Sequence, residues 1–383
     1  MDNFLRLSPV EQVAAFPSEL KTGRGHIPAP RAESPRKALE RTVANVIADS
    51  PVYVLFSGGR DSSAVLALAI RMARLTGAAD PLPVTIQHVN APLSDEAEWQ
   101  EIVLKHLGVK ERLVLTFNGE QSLLGNAATT SLREFGLLWP PSLQVQRAVY
   151  SKLAPGTVLT GEGGDLIIDQ RRITSLATAM RRTWIRTSLR EAKSLVGDSF
   201  RKAQHIDNLV ARSPWLTENG RRRVREEIWA SREPLRWNNA LRVIATSRPA
   251  LVGRRNFEEV VKAHGHAIVN PFENADFISA LEGAGGMLGL GSRTEMMRYL
   301  FHDLLPDVVL SRPTKAAFNE TRWMEPEREF AEHWSGKGVD HDSIDAGALQ
   351  QEWLKARPST LSGLSLHAAW LAANSLPLVP HAS

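Results

Sequence analysis

Five apolar residues in a row at 52–56, Val-Tyr-Val-Leu-Phe, stop abruptly at Ser57-Gly58-Gly59. A short β-branched and aromatic run bounded by turn formers predicts a strand buried on both faces. The period then changes: residues 64–73 are almost wholly apolar and end near Gly77, which predicts a helix closed by glycine. Ahead of the strand, Leu39, Val43 and Val46–Ile47 recur at helical spacing and predict a helix over residues 36–50. Residues 83–89 (PVTIQHV), 111–116 (ERLVLT) and 157–160 (TVLT) read as further strands, with helices over 96–107 and 142–153 between them. Strands alternating with helices predict an α/β fold with a mostly parallel, doubly wound sheet. Ligands of such sheets sit beyond the carboxyl ends of the strands. Ser57 and Gly161 each follow a predicted strand end, so both loops are expected on one rim.

The rest of the chain is patterned differently. Residues 1–35 are Pro-rich and irregular after a short possible helix and read as an N-terminal arm, residues 36–170 as the α/β core, and residues 171–383 as mostly helical. Trp184, Trp215, Trp229 and Trp237 fall in this last region and read as parts of a helical core. Helical spacing returns at 292–305 and 361–374. A length of 383 residues fits about two domains at roughly 150 residues each.

Composition narrows the function classes. No apolar run approaches the ~18 residues of a membrane span, and no secretory signal pattern opens the chain, so a cytoplasmic address is expected. There is no cysteine, which excludes disulfides, thiolate metal sites and a thiol nucleophile in this chain. Residues 171–255 hold 20 Lys/Arg against 7 Asp/Glu. That surplus suits an acidic partner or a solvated arginine-rich surface.

The chemistry concentrates in two glycine-rich loops. Ser57-Gly58-Gly59-Arg60-Asp61-Ser62 joins a strand to a helix, the arrangement in which free backbone amides and the helix dipole hold phosphate. It is not a Walker A loop, because the lysine is missing; Asp61 would need a divalent cation beside it. Thr160-Gly161-Glu162-Gly163-Gly164-Asp165 follows the fourth predicted strand and repeats the theme of glycine with carboxylate.

SGGxDS is the signature loop of the N-type ATP pyrophosphatases (the PP-loop fold), which split ATP between the α- and β-phosphates. With GEGGD about a hundred residues later, the pair resembles the synthetase domain of the asparagine synthetase family. A third piece, residues 305–318 (LPDVVLSRPTKAAF), resembles that family's segment carrying a phosphate-contacting lysine. A fourth, Asn270-Pro271-Phe272-Glu273-Asn274, resembles its PFLD turn, with Arg298 in place of the arginine that follows. The resemblance covers residues 36–325.

It implies ATP and Mg²⁺ as cofactors. Ser57, Gly58, Gly59, Asp61 and Ser62 would hold the β- and γ-phosphates, and Asp61 and Asp165 would ligate Mg²⁺. Gln87, Thr160, Gly161 and Glu162 would line the nucleotide. Lys315, returned to the ATP site by the helical region, would neutralise the α-phosphate as a carboxylate attacks it, with Arg298 in support. The family's glutamate before the PF turn is replaced by Ala267; His264 and His266 stand nearby, and His266 is the candidate base. The expected activity is AMP-forming ligation of a small-molecule or peptide carboxylate to a preformed amine. With no cysteine and about 35 residues ahead of the synthetase region, glutamine hydrolysis is not expected. Relatives of this kind include β-lactam synthetases and lasso-peptide macrocyclases, so natural-product or peptide biosynthesis is the expected setting, with a separate substrate-delivering protein an open partner. Two alternatives remain: an RNA-modifying PP-loop ATPase, for which the basic region speaks, and a non-catalytic relative acting as a binding partner.

Overall fold

A computed structural model describes residues 3–18, 27, 33–48, 51–89, 91–174, 206–228, 233–313 and 319–380. At its centre is a parallel sheet of five strands: β1 (Val52–Leu55), β2 (Leu82–His88), β3 (Leu113–Phe117), β4 (Thr157–Leu159) and β5 (Ala267–Val269), in the order β3-β2-β1-β4-β5. Tyr53 pairs with Leu82 on one side of β1 and with Val158 on the other, fixing the register at the sheet's middle. Side chains alternate across β1. Val52, Val54 and Phe56 join a core with the helices Pro35–Ile47, Arg60–Thr76 and Ala275–Gly285, while Tyr53 packs on the opposite face with Phe117, Tyr150 and Val260. Both faces are covered, which is why β1 reads as an unbroken apolar run.

The helix Arg60–Thr76 starts on Gly59, whose backbone is extended, and stops on Gly77 at φ 71°. Gly77 adopts the left-handed cap that an L side chain resists. Two readings of the pattern needed correction. Residues 142–153 are not one helix but a 3₁₀ turn, Pro141–Leu143, and a short helix, Arg147–Tyr150. Gln144 between them is drawn inward, accepting from Ser131 at 2.6 Å and donating to the Gly136 carbonyl at 2.7 Å. And the sheet takes its fifth strand from the region read as helical: β5 pairs Thr157 with Ala267 and Leu159 with Val269.

The described part of the N-terminal arm is fastened to the body. Glu11 is buried, accepts from Ser8 and Ser18 backbone amides, and meets Arg248 through two 2.9 Å contacts. Leu5 and Asn256 exchange hydrogen bonds of 2.7 and 3.0 Å. Trp215 and Trp237 are core residues, 1% and 0% exposed; Trp184 and Trp229 lie outside the described residues.

Candidate active site

The strand order reverses between β1 and β4: the chain builds outward to β2 and β3 on one side and to β5 on the other. The carboxyl ends of β1 and β4 therefore flank the crevice where open α/β sheets hold ligands. Both glycine loops open there.

The first loop is held from beneath. Gly58 lies at φ 86°, and a side chain there would stand 3.1 Å from Gln100 Cγ and 3.3 Å from the Glu96 carbonyl. Gln100 donates to the Ser57 carbonyl at 3.3 Å, and Arg312 to the Gly58 carbonyl at 3.2 Å. Arg312 is itself buried, paired through two contacts with buried Glu96 and stacked 4.4 Å over Trp99. Inside the loop, Ser62 Oγ accepts from the Ser57 amide (3.2 Å) and donates to the Gly59 carbonyl (3.1 Å), while Ser57 Oγ accepts from the Gly59 amide (3.3 Å). Gly59 caps the helix without a side chain, so the helix start is open to an anion.

The second loop lies directly on Asp61. A Cβ on Gly161 would meet the Ser62 nitrogen at 2.7 Å, and one on Gly164 would meet Asp61 Cγ at 2.5 Å. Gly163, at φ 80°, presses on Glu273 with no room for a side chain. Thr160 Oγ donates to Asn270 (2.6 Å) and accepts from the Glu162 amide (3.1 Å), and Asn270 donates to Glu273 (2.8 Å). The loops after β1, β4 and β5 thus form one assembly.

Asp61 sits at the junction. One carboxylate oxygen meets Arg293 at 2.5 Å; the other, Oδ1, is buried with no hydrogen-bond partner. Burial pushes its pKa up, Arg293 pulls it back, and the charge of Asp165 pushes it up again. A buried, unsatisfied carboxylate oxygen with a second carboxylate close by fits a hard divalent cation. No cluster of three or more candidate metal ligands occurs among the described residues. Two carboxylates suit Mg²⁺, which takes its remaining ligands from phosphate and water. Arg60 donates to Thr294 at 3.4 Å and has its pKa lowered by burial and by the neighbouring Arg293 charge. Arg60 and Arg293 thus stand close together beside the carboxylates of Asp61 and Asp169.

The other expected residues divide. Gln87 is exposed at the end of β2 and lines a cavity of about 280 Å³ with Thr85, His88, Gln100 and Arg112. Glu162 and Asp165 are exposed on the second loop. Lys315 lies outside the described residues. Arg298 does not reach the loops: it is exposed and paired with Asp307 at 2.5 and 2.8 Å. The arginine at Asp61 is Arg293, five residues earlier on the Arg293–Phe301 helix. At about 100° per residue, five positions place the two side chains roughly 140° apart around the axis. His266 is also displaced. It is buried ahead of β5, with Nε2 against the Tyr150 carbonyl at 3.0 Å. Asn270 marks the opposite, carboxyl end of that strand, about 13 Å away at roughly 3.3 Å per residue. A base at His266 would face the wrong end of the sheet.

Two residues at this rim, Arg293 and Arg322, carry no motif, and Glu273 lies within the PF turn at a position to which the sequence assigns no role. Arg293 is found only through its contact with Asp61 across the fold. Arg322 donates to the Gln121 carbonyl at 3.1 Å, and burial brings its pKa down to about 10; His88 at the end of β2 is held below its usual range by burial and then by the Arg322 charge. Among the described residues, no helix is long and apolar enough to cross a membrane. No match was found among curated proteins. The asparagine synthase family model, however, matches residues 35–371, taking in the sheet, both loops and the Arg312 brace. The chain belongs to the asparagine synthase family, whose members form amide bonds at the expense of ATP.

Proposed function

We propose that the protein is an AMP-forming amide ligase that activates a small-molecule or peptide carboxylate for attack by a preformed amine, without hydrolysing glutamine. The observation that carries this reading is Asp61, where two glycine loops converge on a buried carboxylate with one free oxygen. Mg²⁺, held by Asp61 and Asp165, would supply charge neutralisation to the triphosphate. The amides at the start of the helix receive the terminal phosphates, and Arg60 and Arg293 bring positive charge to the same anion. Lys315 is assigned to the α-phosphate, where charge develops as the carboxylate oxygen bonds to phosphorus and pyrophosphate leaves. Gln87 and its cavity fit the nucleoside side of the rim.

The absence of cysteine supports an amine that arrives already formed, and with it a role in natural-product or peptide tailoring. Among the described residues of the basic stretch, part of the positive charge is neutralised within the fold, which weighs against RNA as substrate. Arg223, Arg225, Arg242, Arg248 and Arg255 each pair with a carboxylate within the fold. Exchange of labelled pyrophosphate into ATP, screened over acidic amino acids and peptides, tests the proposal. Acid-dependent exchange is expected; ATP consumption that yields only ADP and phosphate would refute it.

A further inference from the structure

An amine that forms an amide at neutral pH must give up a proton as it bonds to carbon. His266, the base expected from the sequence, is at the wrong end of β5. Glu162 is exposed on the second loop. Glu273 is placed differently. It belongs to the 3₁₀ turn Pro271–Glu273 at the carboxyl end of β5, so it lies on the rim. It packs against Gly163, while the next residue, Gly164, packs against Asp61. Consecutive Cα atoms are about 3.8 Å apart, so the Glu273 and Asp61 carboxylates flank a single dipeptide.

Its orientation is fixed by a chain of hydrogen bonds. The Glu162 amide donates to Thr160 Oγ, Thr160 to Asn270 Oδ1, and Asn270 Nδ2 to Glu273 Oε2 at 2.8 Å. Oε1 accepts no hydrogen bond within the described residues and is not sealed from solvent. Burial holds the carboxyl above its usual range; the charge of Glu258 adds to this, while the Asn270 hydrogen bond and the charge of Arg254 oppose it. A carboxylate of raised basicity with one oxygen anchored and one free suits proton acceptance.

Resting on the ligase reading above, we propose that Glu273 is the proton acceptor for the attacking amine. The amine nitrogen forms a bond to the acyl carbon, the bond from that carbon to the AMP oxygen breaks, and AMP leaves with the electron pair. The proton shed by nitrogen passes to Glu273 Oε1. The residue thereby serves the second half-reaction and not the first.

The test is Glu273→Gln, whose amide oxygen can still accept from Asn270. Three rates are compared with wild type, using the acid that supports exchange: pyrophosphate exchange, amide formation with the best of ammonium, alkylamines and amino acids, and hydroxamate formation with hydroxylamine. Hydroxylamine is already unprotonated at neutral pH and needs little help from a base. Expected are exchange within a few-fold of wild type, amide formation lowered about 100-fold or more, and hydroxamate formation largely restored. Amide formation at the wild-type rate would overturn the proposal. So would parallel loss of exchange, which would make Glu273 a support for the ATP loops. Absence of exchange in the wild-type protein would instead count against the ligase reading.

Discussion

Replacing Gly164 by alanine separates the geometry of the site from the stability of the fold. Gly164 opens the short helix Gly164–Ile167, so its backbone suits an L residue. What alanine adds is a methyl group 2.5 Å from Asp61 Cγ and 2.8 Å from Asp61 Cβ and Oδ1. Ordinary carbon contacts lie near 3.5–4.0 Å, so something must move by about 1 Å. Asp61 has little room to yield, because its backbone carbonyl carbon lies 2.9 Å from where a Gly161 Cβ would stand and its carboxylate is held by Arg293. Overpacking of this kind costs about 1–3 kcal/mol, and a displacement of about 1 Å at a reacting group can cost about 100-fold in rate. Thermal unfolding with and without Mg²⁺·ATP, alongside pyrophosphate exchange at saturating ATP, reads both effects. Gly253→Ala is the control. Its new methyl would meet only Trp139 at 3.6 Å within the helix Arg248–Ala263, so stability should rise by about 0.5–1 kcal/mol with exchange unchanged. Wild-type exchange and wild-type nucleotide stabilisation in Gly164→Ala would refute the convergence of the two loops on Asp61.

Other expectations follow from the same contacts. Glu96→Ala strands the buried Arg312 beneath the first loop and should destabilise the protein by about 3–5 kcal/mol in a denaturant titration. Arg298→Ala removes an exposed, solvent-screened pair and should leave exchange intact, whereas Arg293→Ala should weaken nucleotide binding in an equilibrium titration. Asp61→Asn should abolish exchange without lowering the Tm of the ligand-free protein. The folded-state pKa of Asp61 is raised, so ionised Asp61 favours the unfolded state as pH rises from the usual aspartate range through that higher value, and asparagine removes this penalty at neutral pH.

What could be read from the chain follows from how local each signal is. β1 through β4 announce themselves because strands covered on both faces, or alternating against a core, need apolar runs; their observed ends fall within two residues of the pattern. β5 is three residues long and only partly buried, too short for a period to show. The two loops were legible because glycine and aspartate are demanded by the backbone and the chemistry together. Arg293 was not, since its partner Asp61 lies 232 positions away and helix rotation decides whether residue 293 or 298 faces the crevice. Proximity in sequence to the PF turn likewise says nothing about which end of β5 a histidine occupies.

Phosphorus NMR of ATP consumed in the presence of acidic amino acids and peptides, with hydroxylamine as the accepting amine, tests the central claim most directly. AMP and pyrophosphate formed in equal amounts with hydroxamate are the expected products; ADP and inorganic phosphate would contradict the assignment of the Ser57–Ser62 and Gly161–Asp165 loops to α–β cleavage.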